Sequence, residues 1–220
     1  MRHLPIKPKL FRNNRARLAE LLDSKSLAIV NANDPMPTNA DGTMMIHPNS
    51  DLFYLTGIEQ EESVVVLFPD AGDPKHREIL FLREPSEHLK IWEGHKHTKE
   101  EARKMSGIKN VQWTSEFPGF FRSLMCESDS AYVNSNEHKR ASDAVETRDV
   151  RFIRQCKDDY PLHTYRRLAP LLAKLRMVKG PEVIELLKEA VAITAKGFRR
   201  VQRFVKPGVT EFEVEAELSR

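Results

Sequence analysis

Cysteine is scarce in this sequence, and its two copies, Cys126 and Cys156, form neither a C-x-x-C pair nor a zinc-binding spacing. This excludes a scaffold built on disulfides and favours a reducing setting, so we expect a cytoplasmic protein. Long apolar runs are also missing. The longest extends from Val64 to Phe68 and is too short to cross a bilayer, and the amino terminus lacks the apolar core of a signal peptide.

An excess of charge of one sign is missing as well. The 35 basic residues nearly balance the 32 acidic ones, for a net charge of +3. Such a chain has no general attraction to nucleic acid or to membranes, and we expect neither as a partner. The apolar content of 40% and the charged content of 30% are typical of a globular protein.

The local motifs of several enzyme classes are absent. The sequence contains no G-x-G-x-x-G, no phosphate-binding P-loop, no G-x-S-x-G and no H-E-x-x-H. One short segment holds metal-ligand types, since His95 and His97 follow Glu93 and lie two residues apart. Lys96 and Lys99 lie beside them and Gly94 indicates a loop, which favours a surface loop over a metal site.

The pattern of apolar segments predicts an α/β fold, a mixed β-sheet flanked by helices. We expect a first domain over residues 1–172 and the start of a second over 173–220. The short apolar segments 26–30, 64–68, 78–82, 111–113 and 131–133 predict strands, with a hairpin joining the second and third. Helices are predicted at about 10–23, 99–106 and 117–125, and helical or mixed segments at 143–154 and 165–175.

Two helices are predicted near the carboxyl end. Pro181 begins the first, which extends to about Val205 with apolar residues at alternating spacings of three and four. Thr210 with Glu213 forms the signature of a capping box and begins the second. No helix-stop residue follows before Arg220. We therefore expect this chain to be the front part of a larger protein, a part from which the catalytic centre can be missing.

Two stretches together carry a family pattern. The segment 49–57 reads N-S-D-L-F-Y-L-T-G, and the segment 176–184 reads R-M-V-K-G-P-E-V-I. The first resembles the N-S-D-x-x-Y-x-T-G segment in the amino-terminal domain of Xaa-Pro aminopeptidases, the aminopeptidase P family. The second is similar to the start of that family's pita-bread catalytic domain. The chain departs from the family at His47 and Pro48, where an arginine and a glutamine are usual, and at Gly180, where serine is usual.

The resemblance implies a creatinase/aminopeptidase P type of amino-terminal domain, followed by the first helices of a truncated pita-bread α+β domain. Such enzymes remove the amino-terminal residue from peptides with proline in second position. They use two metal ions, usually manganese, that share a bridging hydroxide. The ligands are two aspartates, a histidine and two glutamates of the pita-bread domain, so we assign no catalytic or metal-binding residue to this chain.

The resemblance also implies two substrate-binding residues, Asp41 and Trp92. In oligomeric members of the family, an aspartate before N-S-D and the tryptophan of an I-W-x-G segment reach the active site of a neighbouring subunit. The carboxylate would meet the substrate's α-amino group, and the indole would close the pocket against water. The alternatives are a loop-capping aspartate and a packing tryptophan. We thus expect a homo-oligomer that acts on peptides.

Two other functions fit the same resemblance. Prolidase, an Xaa-Pro dipeptidase, shares the second stretch and takes only dipeptides. A non-enzymatic relative is the second alternative, because the same fold serves as a peptide- or histone-binding module in a histone chaperone.

Overall fold

The computed structural model describes residues 5–141 and 145–219, and the chain divides into two units, Met1–Leu175 and Arg176–Arg220. The sequence placed a domain boundary between residues 172 and 173. The identity of the second unit as the start of a pita-bread domain stays a prediction.

A mixed sheet forms the centre of the first unit. Its strands lie in the order β4-β3-β2-β1-β5-β6, with the pairs β1–β2 and β2–β3 antiparallel and the other pairs parallel. The predicted hairpin is confirmed, because β2 and β3 pair from Val64 opposite Phe81 to Leu67 opposite Glu78. In the described residues the strands are β1 Ser26–Asn31, β2 Val64–Leu67, β3 Glu78–Leu82, β4 Asn110–Trp113, β5 Ser130–Val133 and β6 Thr164–Arg167.

Helices cover both faces of this sheet, which confirms the predicted fold class. Along β2, Val64 and Val66 belong to one buried apolar cluster, and Val65 and Leu67 belong to the other. This alternation follows from the two-residue period of a strand. The described helices of this unit are α1 Pro8–Ala19, α2 Ser50–Thr56, α3 Glu87–Glu93, α4 Lys99–Ser106, α5 Phe117–Glu127, α6 Arg148–Asp159 and α7 Ala169–Met177, the last of which crosses the division.

The two clusters are built from different helices. One contains Leu18 of α1, Leu55 of α2, Ala102 of α4 and Leu172 of α7. The other contains Leu124 of α5, Cys156 of α6 and a set of aromatic rings in edge or stacked contact. Those rings are Phe81, Phe117, Phe121 and Phe152.

Several local predictions need correction. The first helix ends at Ala19 and does not reach 23. Residues 165–175, predicted as helical or mixed, are mixed, because β6 occupies Thr164–Arg167 and a helix begins at Ala169. Strand β6 pairs with β5 alone among the described strands, and its mainly exposed residues give no apolar signal. The predicted segment that begins at Asp143 starts outside the described residues, and its helix begins at Arg148.

The second unit contains two helices, α8 Pro181–Phe204 and α9 Glu211–Ser219. One half of the predicted capping box of α9 is present, since Thr210 N donates to Glu213 Oε2 over 2.8 Å. Arg200 of α8 and Glu217 of α9 form an ion pair of 2.8 Å. Many apolar residues of α8 are exposed, among them Ile184, Leu187, Val191, Ile193 and Phe198. Across the described residues, no helix has the length and apolar character needed to span a membrane.

Candidate functional site

Asp41 lies at the tip of an exposed turn between β1 and α2. Backbone bonds close this turn, from Thr38 N to Gly42 O over 2.9 Å and from Gly42 N to Asn39 O over 3.2 Å. Ala40, just before Asp41, has a positive φ of 52°. Because backbone bonds hold the turn, the exposed Asp41 carboxylate is available to a ligand.

Trp92 lies on α3, which the sequence analysis did not predict. Its side chain is 75% exposed and the neighbouring Ile91 is 74% exposed, so this tryptophan is not a core residue of the described chain. Ser86 caps the start of α3, and its hydroxyl accepts a hydrogen bond from Leu89 N over 3.2 Å. Gly94 ends the helix with a φ of 81° and a ψ of −166°, a conformation open mainly to glycine. The short helix therefore displays an indole and an aliphatic side chain to the surroundings.

A network of charges holds the carboxyl end of α3. Arg83, at the end of β3, donates to both carboxylate oxygens of Glu93, over 2.9 and 3.3 Å. Lys96 lies 2.5 Å from Glu61 and 3.2 Å from Glu93. Burial opposes ionisation of Glu93, but Lys96 and Arg83 outweigh it and lower the pKa of that carboxyl group. With Glu62 also 3.7 Å from Arg83, these residues tie the base of the Trp92 helix to the sheet.

Three potential metal ligands meet just beyond this network. The ligand atoms of His95, His97 and Glu101 all lie within 4.8 Å of one another. His95 Nε2 is 3.0 Å from Glu101 Oε2, and burial lowers the pKa of His97. From the sequence alone, a plain surface loop is the expectation for the two histidines.

The N-S-D segment has a structural role in this chain. Asn49 caps α2, since its side-chain oxygen accepts from Asp51 N over 2.9 Å and from Leu52 N over 3.1 Å. Asp51 Oδ2 accepts from Asn134 Nδ2, after β5, over 3.0 Å. Gly57 ends the helix with a φ of 72°. The segment thus fixes both ends of α2 and links it to the neighbouring strand.

A cleft of about 960 Å³ opens beside α2. Its walls include Asp34, Asp51, Asn134, Arg148 and Asp149, together with Met36, Met44 and Met45 of the loop that carries Asp41. The cleft therefore combines carboxylates with exposed methionine side chains, a lining that suits a ligand with both polar and apolar parts.

The carboxyl group of Asp149 is the most perturbed acid of this cleft. Burial raises its pKa to about 6, with Asp51 and Asp34 acting in the same direction. Asn31 Nδ2 donates to Asp149 Oδ1 over 2.9 Å and, with Arg148, opposes the shift.

The sequence profile of the aminopeptidase P N-terminal domain matches residues 11–147 of the 220 in this chain. The chain belongs to this family. Its N-S-D segment, the cap of α2 and strands β1 to β5 fall within the matched range, and β6 follows it. The family assignment predicted from two short stretches is thereby confirmed.

Curated relatives and solved structures agree with the family. The Xaa-Pro aminopeptidase of Escherichia coli is 26% identical over 209 residues, which cover 94% of this chain and 47% of the relative. That of Haemophilus influenzae is 22% identical over 94% of this chain and 46% of its own length. The chain therefore spans about half the length of these relatives.

The structural neighbours show the same fold. A Bacillus anthracis structure assigned as an aminopeptidase P superimposes with a TM-score of 0.86 at 28% identity, covering 97% of this chain and 51% of the other. The zinc-substituted E. coli aminopeptidase P in complex with product superimposes with a TM-score of 0.76 at 26% identity. This match covers 98% of this chain and 49% of the other. The family fold is thus present in the described part of the chain.

Sequence reasoning missed several residues that shape the site. One such group consists of Glu61 before β2, Arg83 after β3 and Lys96 after α3. The two cations both contact the Glu61 carboxylate, although they come from separate parts of the chain. Asp149 meets Asn31 from 118 positions away. No local pattern could have paired these residues. Whether Asp41 and Trp92 bind substrate stays a prediction.

Asp149 should make stability depend on pH. Its pKa is about 6 in the folded chain, against 3.8 for an unperturbed aspartate. Ionisation therefore opposes folding, and the free energy of unfolding falls as pH rises between these values. Asp149→Asn keeps an oxygen for Asn31 and should stabilise the fold at pH 7 by about 3 kcal/mol, with no gain near pH 3. Urea unfolding of both proteins between about pH 3 and pH 7 measures this difference in the free energy of unfolding.

Substitution of Asp34, an aspartate of the same cleft, is the matched control and should not stabilise the fold at pH 7. Asp34 accepts two hydrogen bonds from Arg151, over 2.9 and 2.8 Å. Asp34→Asn removes that pair and should leave stability unchanged or lower at pH 7. If the two substitutions gave the same pH profile, the burial of Asp149 would not be the cause of the effect.

Proposed function

We propose that this chain is the amino-terminal, non-catalytic part of a metallo-aminopeptidase that removes the residue preceding a proline in second position. The family match over residues 11–147 carries this proposal, and the names of the curated relatives supply the activity. In the parent protein, two manganese ions with a bridging hydroxide would perform the cleavage in a following pita-bread domain. This chain would contribute to oligomer formation and to substrate access.

The described residues do not fit a two-metal centre. Among these residues, only His95, His97 and Glu101 bring three potential metal ligands close enough to bind a single ion. This group has two histidines and one carboxylate, whereas the family centre needs two aspartates, a histidine and two glutamates. We therefore assign no catalytic step to this chain.

Trp92 is proposed as a wall of the neighbouring subunit's site. Its exposed indole, on a helix anchored through Glu93 and Arg83, supports this role. A large rigid aromatic held in this way can exclude water and restrict the substrate without a large loss of its own conformational freedom.

Asp41 is proposed as the partner of the substrate's amino terminus. Its exposed carboxylate at the tip of a backbone-closed turn supports this role. A carboxylate pairs with an ammonium group through charge-assisted hydrogen bonds, which would select peptides with a free amino terminus.

The proposed partners are peptides with proline at position two and further copies of the same protein, with neither nucleic acid nor membrane. The net charge of +3, which is close to balanced, supports the proposal that neither nucleic acid nor membrane is a partner. We propose a cytoplasmic location, supported by the two free cysteines, of which Cys156 is buried.

Peptide hydrolysis by the full-length parent tests the function. With manganese, we expect release of the first residue from an Xaa-Pro-Xaa tripeptide. Turnover of Xaa-Pro dipeptides alone would instead show a prolidase. No metal-dependent turnover of either substrate, in a folded preparation with manganese present, would refute a peptidase and favour a peptide- or histone-binding module.

A further inference from the structure

The segment between α3 and α4 brings two imidazoles and a carboxylate to one point. His95 Nε2 lies 3.0 Å from Glu101 Oε2, and the rings of His95 and His97 are 5.8 Å apart, edge to face. One ligand atom from each of the three residues lies within 4.8 Å of the others. Small rotations of the side chains would bring all three to one ion.

Two of the three ligands are held in place by other contacts. Glu101 closes the capping box of α4, where its Oε2 accepts from Thr98 N over 2.8 Å. The backbone N–H of His97 donates to Gln60 Oε1 over 2.7 Å. Less conformational freedom is therefore lost when a ligand binds, which favours affinity.

The two lysines that argued against a metal site are engaged elsewhere. Lys96 is buried and its ammonium group lies 2.5 Å from Glu61 and 3.2 Å from Glu93. Lys99 lies 3.3 Å from Glu116 and over the ring of Trp113. Carboxylates therefore neutralise both lysines. The repulsion between these lysines and a metal ion, which the sequence alone suggests, is much reduced.

We propose that His95, His97 and Glu101 bind one zinc ion, with a water molecule completing the coordination. Neutral imidazole nitrogens and a carboxylate oxygen are ligands that zinc accepts, and three protein ligands with an open position form a known type of zinc site. The ion would replace the direct contact between His95 and Glu101. This proposal does not depend on the proposed function.

Bound zinc would join the segment after Trp92 to the start of α4. Residues 94–98 connect these two helices, and the proposed ligands lie on this connection and on the first turn of α4. The expected consequence is a more rigid connection and a higher unfolding temperature in the presence of zinc.

Zinc binding by the 220-residue chain, prepared without a histidine tag, tests the proposal. After dialysis against zinc sulfate and then metal-free buffer, we expect one zinc per chain. Cobalt in place of zinc should give the intense visible absorption of a low-symmetry site with few ligands. Zinc well below one per chain, together with a cobalt spectrum like that of the free aqueous ion, would overturn the proposal.

Substitutions assign the ligands. His97→Gln should weaken zinc binding by about 100-fold, since loss of even an outer-shell partner costs about 10–100-fold. Glu101→Gln should weaken it comparably and keep α4 intact, because glutamine also serves in a capping box. His88→Gln, an exposed histidine on α3, is the matched control and should bind zinc like the unchanged chain. Equal affinity in His97→Gln and His88→Gln would contradict the assignment, and circular dichroism verifies that each variant is folded.

Discussion

Replacing Trp92 by alanine in the full-length parent is expected to lower kcat/KM for Xaa-Pro peptides by about 100-fold, the loss that misplacement of a substrate alone can cause. The indole is 75% exposed, so its removal leaves no cavity in the described fold. The effect should therefore appear in turnover and not in stability. Steady-state kinetics and thermal unfolding of the same preparation measure the two quantities.

The matched control is Leu162→Ala, which removes another large apolar side chain, 98% exposed, on the segment between α6 and β6. It should leave both kinetics and unfolding unchanged. Asp41→Asn should mainly raise KM for peptides with a free amino terminus. Normal kinetics for Trp92→Ala in an active parent would reject the access role while leaving the peptidase assignment intact.

Replacing Gly57 by alanine is expected to lower the free energy of unfolding by about 2–4 kcal/mol. A Cβ atom at this position would lie 2.5 Å from two ring carbons of Phe11, which is 3% exposed and packed in the core. The positive φ of 72° adds its own cost of about 1 kcal/mol, and overpacking of a core adds about 1–3 kcal/mol. Urea unfolding of the 220-residue chain measures the change.

Gly107 provides the control for this prediction. It ends α4 with a φ of 74° and a ψ of 5°, close to the 72° and 9° of Gly57. A Cβ there would approach the flexible Arg12 side chain, at 3.1 Å, instead of a fixed ring. Gly107→Ala should therefore cost only about 1 kcal/mol. Equal losses at both positions would show that backbone conformation, not the Phe11 ring, limits position 57.

The sheet was predictable wherever the strands are apolar on both faces. β2 and β3 are almost entirely buried, and their β-branched or apolar runs end at turn residues, so their pairing could be read from the sequence. β6 could not, because the exposed arginines of an edge strand carry no such pattern. Capping boxes were equally readable, since Thr98 with Glu101 satisfies a purely local rule.

The candidate sites were harder to predict because they depend on residues distant in the chain. The motif 49–57 indicated the family, but the bond that links α2 to the residue after β5, from Asn134 to Asp51, became visible only in the structure. Lys96 shows the same dependence on distant residues. Its position beside two histidines argued against a metal site, and only its contacts with Glu61 and Glu93 remove that objection.

Peptidase activity of the 220-residue chain itself tests the central claim most directly. The claim is that this chain contributes substrate access while the chemistry belongs to a following domain. With added manganese and an Xaa-Pro-Xaa tripeptide, the purified chain should show no turnover above buffer, whereas the full-length parent should release the first residue. Metal-dependent turnover by the chain alone, retained through further purification, would contradict the account.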